Sequence, residues 1–290
     1  MPAVAVVTDT TAYLPRELAA ASGIHVVSLY VNFGDGSSVR ESDMPDFDRF
    51  YDELRSADQL PTTSQPSVGD FTAAYEPLLA GGRDVVSVHI SGVISGTCDT
   101  AQQAADALER EGKGGERVHV IDSSSTAGGL GMVALAGGRC ASSGGDAQAV
   151  VERVEEAREE MKIWFALDTL EYLKRSGRVG AASAWIGSTL KVKPILTMSD
   201  GEMSPVERVR TSSRAFERLV DYARQRHSSG ADAFVVQHIQ APDDAARLVE
   251  RCSEIFGTGP AFVSEAGPVV GVHAGPGMLG VGGCPLRLLT

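Results

Sequence analysis

The stretch Ser91–Thr97 (SGVISGT) follows the apolar run Asp84–Ile90 and precedes the helix-like segment Cys98–Leu108. A strand, a tight turn of glycines and hydroxyls, then a helix bring backbone N–H groups and Ser/Thr hydroxyls to one spot. That arrangement suits a small anion, such as a carboxylate or a phosphate. It equally suits a plain capped turn, with Ser95 or Thr97 as the cap. Three further polar loops are Thr8–Thr11, Pro61–Ser67 and Asp122–Thr126. In Pro61–Ser67 (PTTSQPS) two prolines hold the backbone extended. The hydroxyls of Thr62, Thr63, Ser64 and Ser67 and the amide of Gln65 decorate it. His273 lies in the glycine-rich stretch Gly267–Gly277, where small residues allow close backbone approach to a ligand. It reads as a ligand contact or as a loop histidine bonded to a carbonyl. Arg178 follows Gly177 at a helix end. It offers an anion a planar fork of donors, or complements the helix dipole.

Other chemistries lack their residues. A serine hydrolase of the nucleophile-elbow type needs G-x-S-x-G. Gly92-Val93-Ile94-Ser95-Gly96 is one residue too long, and no other serine fits. No GxGxxG follows a strand and no GxxxxGKS/T is present, so neither familiar nucleotide loop is expected. No carboxylate pair stands out as acid and base. Cys98, Cys140, Cys252 and Cys284 are scattered without a CxxC pair. They argue against a zinc site and fit a reducing cytoplasm. The net charge of −12 argues against a general nucleic-acid or anionic-membrane surface. No apolar run reaches the length of about eighteen residues that a membrane span needs. The start, MPAVAVVTDT, has no basic region, so no signal peptide is expected.

The elements that must position these groups read as α/β. Ala3–Val7, Ile24–Phe33, Arg117–Ile121, Trp164–Leu170, Val192–Met198, Phe234–Ile239 and Ala261–Val263 have strand character. Phe47, Phe50, Tyr51 and Leu54 share one helical face, as do Phe71, Tyr75 and Leu78. Phe216, Leu219, Val220 and Ala223 mark another helix, and Leu248, Val249, Cys252, Ile255 and Phe256 a fourth, with Cys252 in the core. The Pro61 loop joins two helices, and Gly267–Gly277 reads as a turn. Strands alternating with helices predict a parallel sheet covered on both faces, with ligands beyond the strands' carboxyl ends. A helix carrying Val150, Val154, Ala157 and Met161 hands over to a second domain.

A site of neutral hydroxyls beside apolar sequence is compatible with a fatty acid. About sixteen methylenes at roughly 0.8 kcal/mol each contribute about 12 kcal/mol gross on burial. The carboxylate taken with them must be hydrogen-bonded, which hydroxyls and helix N–H groups can do. A sugar or a phosphorylated metabolite stays equally open on these grounds.

Eight motifs in order resemble the DegV family of bacterial fatty-acid-binding proteins, the acyl-carrying subunits of fatty acid kinase. They are TDTTAYLP (Thr8–Pro15), PTTSQPS, SGVISGT, DSSSTAGGLG (Asp122–Gly131), LKRSGRV (Leu173–Val179), GSTLKVKPIL (Gly187–Leu196), RVRT (Arg208–Thr211) and GPVVGVHAGPG (Gly267–Gly277). The resemblance implies two α/β domains. Residues 1–160 would form a parallel-sheet domain carrying the head-group loops. Residues 161–290 would form a domain with a mixed or antiparallel sheet housing the acyl tail. It implies Thr62 and Ser95 as head-group ligands, with Thr63, Ser64, Gly96 and Thr97 around them. Arg178 and His273 would lie near the carboxylate and assist phosphoryl transfer. A separate kinase subunit would bind ATP, leaving this chain without catalytic residues, metal or cofactor. Lys193, Arg208 and Arg210, with Lys191 and Arg214, would face that partner, unless they are simply solvated surface. Two positions depart from the family's pattern: Gly92 and Ala127 stand where serines are common. The alternatives are a stand-alone hydrolase or phosphotransfer enzyme using His273, and a small-molecule sensor.

Overall fold

A computed structural model describes residues 3–44, 46–185 and 192–290. Lys191, and residues 187–191 of the GSTLKVKPIL motif, lie outside the described residues. The strands are β1 (Val4–Asp9), β2 (Ile24–Val27), β3 (Tyr30–Asn32), β4 (Ser38–Arg40), β5 (Thr62–Ser64), β6 (Asp84–His89), β7 (Val118–Asp122), β8 (Lys162–Ala166), β9 (Lys193–Ser199), β10 (Glu202–Val209), β11 (Ala233–His238), β12 (Phe262–Glu265) and β13 (Leu279–Cys284). The helices are α1 (Arg16–Ala21), α2 (Phe47–Ser56), α3 (Val68–Ala80), α4 (Thr97–Arg110), α5 (Ala127–Ser142), α6 (Ala147–Glu160), α7 (Glu171–Arg175), α8 (Ser212–Ser228), α9 (Pro242–Phe256) and α10 (Pro268–Ala274).

The first sheet has the order β2-β1-β6-β7, and all its pairings are parallel. Every residue of β1 is buried. A strand buried on both faces needs the continuous apolar run that VAVV supplies. Helices α3 and α4 cover one face, through Phe71, Tyr75, Ala101 and Leu108. The second sheet is mixed, in the order β10-β9-β8-β13-β11-β12; β11 and β12 are parallel and the other pairs antiparallel. Helices α8 and α9 cover its outer face, with Cys252 in that core.

Helix α5 is the layer between the two sheets. From Ala127 to Gly138 its sequence is wholly apolar or glycine, which suits a segment buried all round. Val4, Val6, Val86 and Val88 from the first sheet and Ile163, Ala233 and Val235 from the second join its Leu130, Val133 and Leu135 in one core. Among the described residues no helix is long and apolar enough to cross a membrane.

Three segments differ from the sequence expectation. The run Ile24–Phe33 is two strands: after β2 the chain leaves the first sheet for a small antiparallel sheet, β4-β3-β5. Side chains satisfy the backbone at the break. Leu29 N–H donates to Thr10 Oγ1 and Ser42 N–H to Ser28 Oγ. The Pro61 loop is partly β5, paired with β3, because its extended backbone lies beside Tyr30–Asn32. The Gly267–Gly277 stretch is α10, with Pro268 at its first position, where a missing N–H costs nothing. Strands β10 and β13 carried little signal. One holds Pro205 at a bulge and the other three glycines, both poor strand residues.

Candidate functional site

Four elements converge beyond the carboxyl ends of β1, β6 and β7. The loop after β6 is pinned from two sides. Ser91 N–H donates to Ser125 O at 2.8 Å, and Ser91 Oγ donates to Gly201 O at 2.8 Å across to the β9–β10 turn. Gly201 has φ +79°, and a Cβ there would lie 2.6 Å from Ser91 Oγ, so the contact requires glycine. The loop ends in α4, whose N-cap is Gly96 with no side-chain cap bond. The capped-turn reading therefore fails: the Ser95 and Thr97 hydroxyls bond each other at 2.8 Å. The PTTSQPS segment is fixed at both ends. β5 pairs with β3, and Ser67 caps α3 in a capping box with Asp70.

These elements and α10 enclose a cavity of about 60 Å³. Thr63, Ser64, Gln65, Ser95, Gly96, Thr126, Arg178 and His273 form its polar lining. Leu29, Ile90, Ile94, Met203, Val269 and Val270 form the apolar remainder. Thr63 Oγ1 and His273 Nε2 are 2.9 Å apart. His273 Nδ1 and Thr126 Oγ1 are buried without a hydrogen-bond partner among the described residues. Burial, aided by the Arg178 charge, lowers the His273 pKa to about 4, so the ring is neutral at pH 7. Arg178 Nη1 donates to Ser176 O at 2.7 Å, and no described carboxylate pairs with its guanidinium. Hydroxyls, an unpaired ring nitrogen and a cation without a counter-charge together favour an anion.

The structure brings Thr63, Ser64, Ser95, Gly96, Arg178 and His273 together. Thr62, at the start of β5, is exposed and absent from the lining, whereas Thr63 and Ser64 after it line the cavity. Ser95 thus shares the cavity with Thr63, whereas the family pattern had implied Thr62. Thr97 is buried outside the lining. Gln65 and Thr126 are additional lining residues. Their loops had been singled out by polarity, but nothing in composition distinguishes one loop position from its neighbour.

A groove of about 410 Å³ opens outside this cavity, lined by Gly92, Val93, Gly177, Gly180 and Glu202. It shares Ile94, Ser95, Gly96, Arg178 and Met203 with the cavity. The cavity therefore adjoins an open surface at Ser95, Gly96 and Arg178. Of the basic residues, Lys193 pairs with Asp168 at 2.6 Å. Arg208 sits 5.1 Å over the Trp185 ring, and Arg208, Arg210 and Arg214 are exposed.

One array has the composition of a hydrolytic triad. Asp9 Oδ2 is 3.0 Å from His89 Nδ1, His89 Nε2 is 2.7 Å from Ser87 Oγ, and Ser87 Oγ is 2.6 Å from Tyr75 OH. Asp9, Ser87, His89 and Tyr75 are all 0% exposed. No substrate reaches Ser87, and the array ties β1 to β6 and α3.

Residues 3–286 match the family model described as "Uncharacterised protein, DegV family". A DegV domain-containing protein of Streptomyces coelicolor is 38% identical over 280 residues, covering 96% of this chain and 97% of its own. Protein DegV of Bacillus subtilis is 34% identical over 283 residues, covering 97% and 99%. A solved structure of a DegV family protein from Thermus thermophilus, described by its fatty acid binding, matches with TM-score 0.86 at 33% identity. It covers 99% of this chain and 100% of that one. The structure of DegV from Bacillus subtilis, described as a fatty acid binding protein, matches with TM-score 0.86 at 33% identity, covering 98% and 99%.

Proposed function

The chain belongs to the DegV family, and on that premise we propose that it binds one long-chain fatty acid and presents the carboxylate to a separate kinase subunit. The observation that carries this is the cavity's lining, in which hydroxyls, Arg178 and His273 stand with apolar side chains. Thr63, Ser95, Thr126, Arg178 and His273 receive the carboxylate. The tail continues past Ile94, Met203 and Val270 into the apolar core that contains Leu29, Leu196 and Met278. The described fatty acid binding of the relatives from Thermus thermophilus and Bacillus subtilis supports the same ligand class.

The cavity's size shapes the mechanism. At about 60 Å³, head-group size, it falls well short of the roughly 300 Å³ at which pockets for whole ligands begin. A long tail must therefore part packed side chains. Met203 and Met278 suit that, since unbranched thioethers repack readily. Burial of methylenes then offsets the displaced contacts.

Domain 1–160 supplies most of the hydroxyl loops, and domain 161–290 supplies Arg178, His273 and much of the apolar wall. The outer groove gives a phosphoryl donor access to the carboxylate. In the transfer a carboxylate oxygen attacks the γ-phosphorus of ATP held by the kinase subunit, and ADP leaves. Arg178 stabilises the charge that develops, and neutral His273 orients Thr63. Arg208, Arg210 and Lys193 belong to the docking face for that subunit. Four unpaired cysteines fit action in the cytoplasm.

Hydroxylamine trapping of acyl phosphate separates carrier from enzyme. The isolated chain with palmitate and ATP is expected to form none, and addition of an ATP-binding fatty acid kinase subunit to restore it. Acyl phosphate formed by the chain alone would instead make it an enzyme.

A further inference from the structure

We propose that Glu41, held by Tyr13, is a positioning residue that fixes α10 and thereby sets His273 against Thr63. The inference rests on the carrier reading above and adds a residue to its machinery. Glu41 follows β4, is 3% exposed, and lies outside the cavity lining. Its Oε1 accepts from Tyr13 OH at 2.8 Å and from Val269 N–H at 2.7 Å. Tyr13 OH in turn accepts from Val270 N–H at 3.1 Å. One carboxyl and one phenol therefore hold the first turn of α10 by two successive backbone amides. Val269 and Val270 line the cavity themselves, and His273 follows one helical turn later.

Three further observations show that this grip is built rather than incidental. Tyr13 has φ +46°, a left-handed conformation that is an outlier for a bulky side chain. Such strain persists where the surroundings over-determine it, commonly beside functional sites. Second, α10 is seated without slack. Tyr51 OH donates to Ala266 O at 2.6 Å, and a Cβ on Gly267 would lie 2.7 Å from Glu41 Oε1. Third, Glu41 N–H donates at 2.9 Å to the carbonyl of Leu29, another lining residue, so the backbone of the same residue is itself tied to the cavity wall. Burial raises the Glu41 pKa to about 7, and Oε2 has no partner among the described residues. A core merely needing to be filled would not favour so costly a group.

The test reads the His273 imidazole by NMR in ligand-free protein, with His273→Gln assigning the resonance and His89 as a remote control. Glu41→Leu is expected to shift the His273 ring resonances, leave those of His89 in place, and weaken palmitate binding about ten-fold, the loss of one charge-assisted hydrogen bond. Glu41→Gln keeps an acceptor oxygen and is expected to restore both. Should Glu41→Leu not fold, Tyr13→Phe carries the same test, since it removes the hydroxyl but keeps the ring. A folded Glu41→Leu or Tyr13→Phe protein with unmoved His273 resonances overturns the proposal. Failure of the wild-type chain to bind palmitate would overturn the carrier reading alone, because the ring resonance reports positioning without ligand.

Discussion

Asp9→Ala is expected to lower the unfolding free energy by about 3–5 kcal/mol, the cost of stripping several buried donors of their common acceptor. Asp9 accepts four hydrogen bonds: from Thr11 N–H, Thr11 Oγ1, His89 Nδ1 and Ile90 N–H. Alanine leaves two buried amides and a buried imidazole unpaired. Each unsatisfied group costs about 1–3 kcal/mol, and relaxation of the loop recovers part of the sum. For a chain of this size roughly 2–4 °C of melting temperature accompanies each kcal/mol, so a drop on the order of 10 °C is expected by scanning calorimetry. Asp9→Asn keeps one acceptor oxygen and is expected to cost roughly half as much. A change below about 1 kcal/mol would show that the Asp9–His89–Ser87 array is not the structural tie described here.

The second large effect is on binding. Thr63→Val with Ser95→Ala removes two of the four cavity hydroxyls at nearly constant shape. A hydrogen bond to a charged group contributes about 1.5–3 kcal/mol, so the pair accounts for about 3–6 kcal/mol. At about 1.4 kcal/mol per factor of ten, palmitate affinity is expected to fall at least about 100-fold. Thr62→Val is the internal control. Its side chain is exposed outside the cavity lining, so affinity is expected to stay within about two-fold. The reverse ranking, with Thr62 dominant, would put the head group outside the cavity. Isothermal titration decides between them.

The sheet-forming core was legible because it rests on periodicity. Val4–Val7, Val85–Val88 and the helical face of Phe71, Tyr75 and Leu78 are patterns that local composition carries. The convergence of the hydroxyl loops was also legible, since parallel strands send their carboxyl ends to one edge. Which threonine faces inward was not. That depends on the pairing register of β5 with β3, a contact between residues 32 apart in sequence that Thr63↔Val31 fixes. Likewise α10 is a helix because Glu41, Tyr13 and Tyr51 hold it from elsewhere, against a glycine-rich sequence that locally favours a turn. The family's motifs marked the segments that matter, while the individual side chains were sorted by tertiary contacts.

Native mass spectrometry of the chain incubated with palmitate counts the bound ligand. A single adduct of one palmitate per chain is expected, strongly reduced in the Thr63→Val, Ser95→Ala protein. No adduct with the wild-type chain, or an adduct that survives unchanged in that double variant, would contradict binding at this cavity.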